Sequence, residues 1–97
     1  MVFTVQVRFN SFGPIRRTLD SQVLTIDVPD GSTVRDVVNK VLKIGGPELE
    51  SIIMEGDKIS GNLIIMLNKK DVTILEGEDT PVSQDDEIAM LPHVQGG

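Results

Sequence analysis

The sequence predicts an α+β fold in which a mixed sheet of four to five strands packs one main helix across one of its faces. Three observations predict it. An early segment alternates apolar and polar residues, as a half-buried strand does. A valine-rich segment in the middle of the chain repeats with helical spacing, and short apolar runs follow it. Strands on both sides of one helix favour two packed layers, with the other sheet face toward water.

The first two strands are predicted from this alternation. Residues 3 to 9 place their apolar side chains on one face, and Gly13-Pro14 ends the strand. A polar connection without regular structure is expected to follow. A second alternating segment covers residues 23 to 28 and stops at Pro29. The two strands are therefore expected to form a hairpin.

The main helix is predicted to begin at Ser32 or Thr33, either of which can cap it, with Asp36 in the first turn where the helix dipole favours a carboxylate. Gly45-Gly46-Pro47 is expected to end it, and Pro47 suits the first turn of a second, short helix through Ile53 or Met54. The apolar stripe of the main helix has the spacing of a face packed on a sheet and consists of Val34, Val37, Val38, Val41 and Leu42.

The remaining strands are predicted in the second half of the chain. After a loop over residues 55 to 62, the apolar run from 63 to 67 forms the third strand. A turn at 68 to 71 leads into a short strand at 72 to 75. An acidic loop with a turn at 83 to 86 follows, and residues 87 to 91 form the last strand.

An apolar patch is expected on the outer face of the sheet. The outer residues of the first two strands are polar, whereas the third and last strands are apolar on both faces, so one set of their side chains must lie outside the core. Such a patch predicts a surface for partner docking. The alternative is that residues 47 to 62 shield it. The residues concerned are Ile64, Met66, Ala89 and Leu91.

Composition excludes several functions. The 97-residue chain has a net charge of −6, and its scattered cations are too few for a nucleic-acid binder. The acidic cluster between Glu76 and Glu87 is either a solvated loop or a surface that steers the chain toward a basic partner. The absence of cysteine removes disulfides, thiolate metal sites and a cysteine nucleophile. With neither a signal peptide nor a membrane-spanning run, a cytoplasmic protein without metal or bound cofactor is expected.

The last two residues, Gly96-Gly97, are the strongest functional feature. We expect a domain over residues 1–91, followed by a flexible tail over residues 92–97. Because glycine lacks a Cβ atom, such a tail can run extended through a narrow channel and present only its terminal carboxylate to a catalyst. The alternative is a frayed end without a function.

Several segments resemble one family when they are taken together. Residues 29–37 are similar to the segment that starts the helix of MoaD, and Pro47 to Ser51 resemble the segment after that helix in archaeal modifiers. Residues 67–71 occupy the place of an Asn-Gly turn, and residues 79–92 resemble the approach to the family's tail. With the diglycine, the chain looks like a ubiquitin-like β-grasp protein of the sulfur-carrier and modifier group, which includes MoaD, ThiS, the ubiquitin-related modifier and the small archaeal modifier proteins. One departure is Pro92-His93, where MoaD-like tails usually read Pro-Pro; His93 is the only histidine.

The resemblance implies a mechanism in which this protein is a substrate and not an enzyme. A ubiquitin-activating-type, MoeB-like partner would use ATP to adenylate the Gly97 carboxylate, with Gly96 threading its active site. Sulfide transfer would give a thiocarboxylate, and the partner would then be a molybdopterin synthase large subunit or a tRNA thiolation enzyme. Attack by a lysine of a target protein would instead give an isopeptide bond.

Two further points stay open. The chain could be a β-grasp adaptor that is never activated and binds through its outer sheet face. Its own lysines could accept conjugation, and nothing in the sequence selects among Lys40, Lys43, Lys58, Lys69 and Lys70.

Overall fold

A computed structural model describes residues 3–92 and has the predicted α+β architecture. The strands are β1 (Thr4–Ser11), β2 (Val23–Pro29), β3 (Met54–Glu55), β4 (Lys58–Ile59), β5 (Leu63–Leu67), β6 (Lys70–Asp71) and β7 (Glu87–Pro92). A five-stranded mixed sheet has the order β2-β1-β7-β5-β6, and a two-stranded sheet pairs β3 with β4. In the large sheet β1 is parallel to β7, and the other neighbours are antiparallel.

The core lies between one face of the large sheet and the helix α2 (Val34–Ile53). The alternation in β1 and β2 places every second side chain in this core, and among them Phe9 is fully buried. The predicted helical stripe packs on this face, with its four valines buried and Leu42 at its margin. In β5 and β7, alternate side chains enter the core; these are Ile65, Leu67, Ile88 and Met90. The other side chains of these two strands therefore lie on the outer face of the sheet.

The predicted start and break of α2 are confirmed. Thr33 is the cap: its hydroxyl accepts from the Asp36 N–H at 3.3 Å, and the Asp36 carboxylate accepts from the Thr33 N–H at 2.9 Å. This reciprocal pair satisfies two donors at the helix start. At Gly46 the backbone leaves the helical region, with φ 72° and ψ −164°, and Pro47 opens the second helical segment.

The residue before the break, Gly45, is predicted to be required for packing against Leu49. A Cβ atom at this position would overlap the side chain of Leu49, which is fully buried and cannot move aside. An alanine normally stabilises a helix by about 1 kcal/mol relative to glycine. Here we expect Gly45→Ala to destabilise the fold by about 1–3 kcal/mol, as overpacking does. Denaturant unfolding measures the sign, with the exposed Gly61→Ala as control, since a Cβ there meets no atom within 4 Å.

Four predicted segments differ from the structure. The first is the turn expected at 68 to 71, whose last two residues form β6 through pairing with β5. The expected polar connection contains α1 (Gly13–Leu19), because Pro14 suits the first turn and Ile15 is fully buried. The expected loop at 55 to 62 contains the β3–β4 hairpin. The expected strand at 72 to 75 is wrong: Val72–Ile74 is a 3₁₀ helix, capped by the Asp71 side chain, which accepts from the Thr73 N–H.

Of the helices between residues 3 and 92, none is long and apolar enough to cross a membrane.

Candidate functional site

The candidate site is built around β7, the strand that leads to the diglycine. This strand lies in the middle of the sheet between β1 and β5, and its last residue is Pro92. The reacting group is predicted to be the carboxylate of Gly97, which follows Gly96. Both glycines lie outside the described residues, as does His93. The described part of the site is therefore the surface around the end of β7.

The four residues assigned to partner docking lie together on the outer face of the sheet. Ile64 is paired with Leu91, and Met66 with Ala89, on the adjacent antiparallel strands β5 and β7. We call these four residues the outer cluster. All four are half-buried, as expected for side chains that cover one another on a sheet face. The alternation of these two strands therefore brings the predicted residues into one continuous apolar group.

The segment from 47 to 62 mainly covers the other side of the sheet. Its residues Leu49 and Ile53 are fully buried in the core with the stripe of α2. Only its end approaches the outer cluster, where Ile59 and Gly61 line a groove of about 390 Å³ together with Ile64. Leu49 and Ile53 are thus committed to the core, and Ile59 packs at its margin.

Polar and charged residues border the outer cluster on the β1 side. Arg8 lies beside Glu87, with Nε 3.9 Å from the carboxylate, and its guanidinium donates to the Asp85 carbonyl at 3.4 Å. The predicted turn at 83 to 86 is present: the Asp86 N–H donates to the Ser83 carbonyl at 3.1 Å. An apolar centre with a charged rim is the usual composition of a protein–protein interface.

The acidic segment 76–87 also has a structural role. Glu78 accepts from Arg35 of α2 at 2.7 Å, and the same guanidinium donates to the Asp57 carbonyl of the β3–β4 turn at 3.2 Å. Arg35 thus joins the main helix to two connections. The carboxylates of Glu76, Asp79 and Asp85 are exposed, which fits both a solvated loop and a surface that steers association.

α1 lies next to the start of the tail, a neighbour that the sequence did not predict. A Cβ atom on Gly13 would lie 3.6 Å from Pro92 Cγ, so this helix starts against the last described residue of β7. Arg16 and Arg17 line a depression of about 560 Å³ on the same helix. The signal for α1 was Pro14 followed by Ile15 and Leu19 at helical spacing.

Asp71 ends the row of outer-face residues next to Met66, and its pKa is lowered by hydrogen bonds from Thr73. The Thr73 backbone N–H, at 2.9 Å, and then the Thr73 hydroxyl, at 2.8 Å, donate to its carboxylate and lower its pKa. Since the folded pKa lies below the unfolded one, this contribution to stability is complete above the unfolded pKa and is lost as pH falls through the folded value.

We therefore predict that Asp71 titrates below ordinary aspartates in a carboxyl NMR titration. Thr73→Val removes the hydroxyl donor and keeps the backbone N–H, so the pKa of Asp71 should rise only part of the way. An Asp71 midpoint at or above that of an aspartate in an unstructured peptide would contradict this assignment.

Within residues 3–92, no three histidine, cysteine, aspartate or glutamate side chains gather as a metal site would require.

Comparison with known proteins gives one consistent result. The model of the ThiS family matches residues 11–97. A protein of Archaeoglobus fulgidus named as a candidate sulfur carrier is 32% identical over 65 residues, which cover 67% of this chain and 74% of that protein. Small archaeal modifier protein 1 of Methanosarcina acetivorans superposes with a TM-score of 0.83 at 27% identity, covering 98% of this chain and 99% of that one. A chain of the BexX/CysO complex of Amycolatopsis orientalis superposes with a TM-score of 0.71 at 22% identity, covering 94% and 99%.

Proposed function

This chain belongs to the ThiS family, and we propose that it is a carrier whose Gly97 carboxylate is activated by a ubiquitin-activating-type, MoeB-like enzyme. Its fold is that of the ubiquitin-like sulfur carriers and small archaeal modifiers. The activated terminus then becomes a thiocarboxylate, for molybdopterin synthesis or tRNA thiolation, or is joined to lysines of target proteins.

The chemistry requires activation before transfer. A carboxylate is a poor acyl donor, because substitution at its carbon would expel oxide. Attack of the Gly97 carboxylate on the α-phosphate of ATP releases pyrophosphate and gives an acyl-adenylate, whose leaving group is AMP. A sulfur nucleophile or a lysine amine then attacks the acyl carbon and displaces AMP. ATP is bound by the partner, and this chain supplies the acyl group.

The observation that carries the proposal is the position of the outer cluster at the end of β7. Leu91 and Ala89 lie on the strand that runs directly into residues 92–97, and Ile64 and Met66 lie beside them. From Pro92 to Gly97 an extended chain spans at most roughly 18 Å. A partner that covers the outer cluster would therefore hold its active site within reach of Gly97.

The charge distribution supports a basic partner. The chain carries a net charge of −6, and the carboxylates near the turn at 83 to 86 lie at the border of the outer cluster. Complementary charge around an apolar centre mainly accelerates association and selects the partner. A structural neighbour is a chain of the BexX/CysO complex, which supports the binding of this fold by a partner protein.

Reconstitution with the activating enzyme of the same host tests the proposal. With Mg-ATP present, we expect exchange of labelled pyrophosphate into ATP that depends on the carrier, together with an adenylylated form of the chain in intact mass spectra. Addition of a persulfide donor together with a thiol should convert this form to one with sulfur in place of one terminal oxygen. The persulfide displaces AMP to give an acyl disulfide, and the thiol then cleaves its S–S bond, which releases the thiocarboxylate and leaves a new disulfide. An absence of exchange with an enzyme that activates its other carriers would refute activation and leave the binding adaptor.

A further inference from the structure

The free edge of β2 forms a second surface, separate from the outer cluster. β2 is the end strand of the sheet and pairs only with β1. β1 therefore lies between it and β7, which carries half of the outer cluster. Natural proteins usually cover or charge such an edge, since unpaired main-chain groups attract another strand.

The hydrogen-bond register shows which groups of β2 are unpaired. The Ser11 N–H donates to the Gln22 carbonyl at 2.8 Å, and the Asp30 N–H donates to the Phe3 carbonyl at 2.8 Å. Main-chain hydrogen bonds alternate along an antiparallel pair of strands. The N–H and C=O groups of the even-numbered residues of β2 therefore bond to β1, and those of the odd-numbered residues point away from β1. The Val23 carbonyl accepts from the Ser21 hydroxyl. Within residues 3–92, the main-chain groups of Thr25 and Asp27 have no hydrogen-bond partner.

A groove of about 390 Å³ runs between this edge and α2. Its edge side is formed by Thr25, Ile26 and Asp27. Its helix side is formed by Lys40, Lys43 and Ile44, whose spacing of three and four residues places them on one helix face. Ile44 is 58% exposed, which is unusual for a large aliphatic side chain on a helix that otherwise buries its apolar stripe.

The groove is positively charged on its helix side, although the chain as a whole is acidic. Over the part of the chain that the structure describes, neither Lys40 nor Lys43 lies within salt-bridge distance of a carboxylate. Asp27 faces the outer side of β2, away from α2, by the strand alternation. An acidic occupant is therefore favoured next to α2, and a neutral one next to Asp27.

We infer that this groove binds an extended peptide segment of a partner protein, which adds a strand to the β2 edge. Its backbone pairs with Thr25 and Asp27, an aliphatic side chain contacts Ile44, and flanking acidic side chains pair with Lys40 and Lys43. Strand addition takes its affinity from the main chain and its specificity from such alternate pockets. A second copy of this chain fits less well, because antiparallel pairing of two β2 edges would bring the two lysine pairs together.

The test uses the purified full chain without an activating enzyme, so that its result does not depend on tail chemistry. The probe is a synthetic peptide with a run of valine and isoleucine followed by a run of glutamate. We expect amide shift changes confined to residues 23–28 and 40–44. Hydrogen exchange at the Thr25 and Asp27 amides should slow by about tenfold or more, with no slowing at Leu24 or Ile26.

Two matched double variants test whether the positive charge of Lys40 and Lys43 contributes to peptide binding. Lys40→Glu with Lys43→Glu should weaken binding by about tenfold, since two attractive pairs become repulsive. Lys69→Glu with Lys70→Glu changes the net charge equally at a distant turn and should leave binding unchanged. A probe with lysine in place of glutamate should not bind.

Four results would overturn the inference. The first is that the acidic probe does not bind, and the second is that the lysine probe binds equally well. The third is that the shift changes are centred on the outer cluster. The fourth is slowed hydrogen exchange at Thr25 and Asp27 that depends on protein concentration in the absence of peptide. The last would identify a second copy of the chain as the occupant.

Discussion

Replacing Gly96 with phenylalanine is expected to lower adenylation of the chain by at least about a hundredfold, while the fold stays intact. A Cβ atom and a ring at this position cannot pass a channel shaped for an extended glycine pair, and a displacement of about 1 Å at the reacting carbon is enough for such a loss. Addition of one residue after Gly97 should have the same effect, because the reacting carboxylate moves away from ATP. Pyrophosphate exchange measures both variants.

The matched control is Ser51→Phe. Ser51 is exposed on the second segment of α2, which packs on the sheet face opposite to the outer cluster. This variant should be adenylated normally, and all variants should unfold at the same denaturant concentration as the parent chain. If the Gly96→Phe chain were adenylated at the normal rate, the proposed role of the diglycine would be wrong.

Replacing Leu91 with glutamate is expected to raise the KM of the activating enzyme for this chain by about 30-fold or more, the effect of losing an interface hot spot. Leu91 is half-buried beside Ile64 on the outer face, outside the core. A carboxylate there would be desolvated without a partner when the enzyme covers the outer cluster. Because the tail itself is unchanged, kcat at saturating carrier should change little.

Val23→Glu provides the control on the same sheet face. Val23 is 47% exposed and lies on β2, beyond β1 and away from the outer cluster. The Val23→Glu substitution adds the same charge as Leu91→Glu. It should change KM less than twofold, as substitutions at the rim of an interface usually do. Equal effects of the two substitutions would show that net charge, and not the outer cluster, controls association.

Local patterns were sufficient to predict most of the fold. The alternation of β1 and β2 has a polar outer face and an apolar inner face, so its period was unambiguous. The Thr33 cap and the Gly46 break follow from residue chemistry that acts within one helical turn. The outer cluster was predictable because apolar side chains on both faces of β5 and β7 could not all enter one core.

The missed elements depend on contacts that sequence periodicity does not contain. α1 is a single short helix whose only fully buried side chain is Ile15, and Gly13-Pro14 before it resembles a simple break. β3 and β4 have two residues each and exist through their mutual pairing. At residues 72 to 75 the Asp71 cap overrides strand propensity, and Ile74 and Leu75 are left exposed.

The groove between β2 and α2 could not be predicted from the sequence, and the reason is the topology of the sheet. Which strand ends the sheet depends on the parallel pairing of β1 with β7, which joins the two ends of the chain. The sequence contains Lys40, Lys43 and Ile44 at helical spacing, but it does not show that this face of α2 borders an unpaired strand.

The most direct test of the carrier proposal compares the amino-terminally tagged chain with a version lacking Gly96-Gly97 in the native host. Intact mass spectrometry of the free pool and a blot against the tag are read together. We predict sulfur in place of a terminal oxygen, a ladder of larger conjugates, or both, and the loss of every such species on deletion. A free pool with an unmodified carboxylate and no conjugates, identical for the two versions, would contradict activation of this chain.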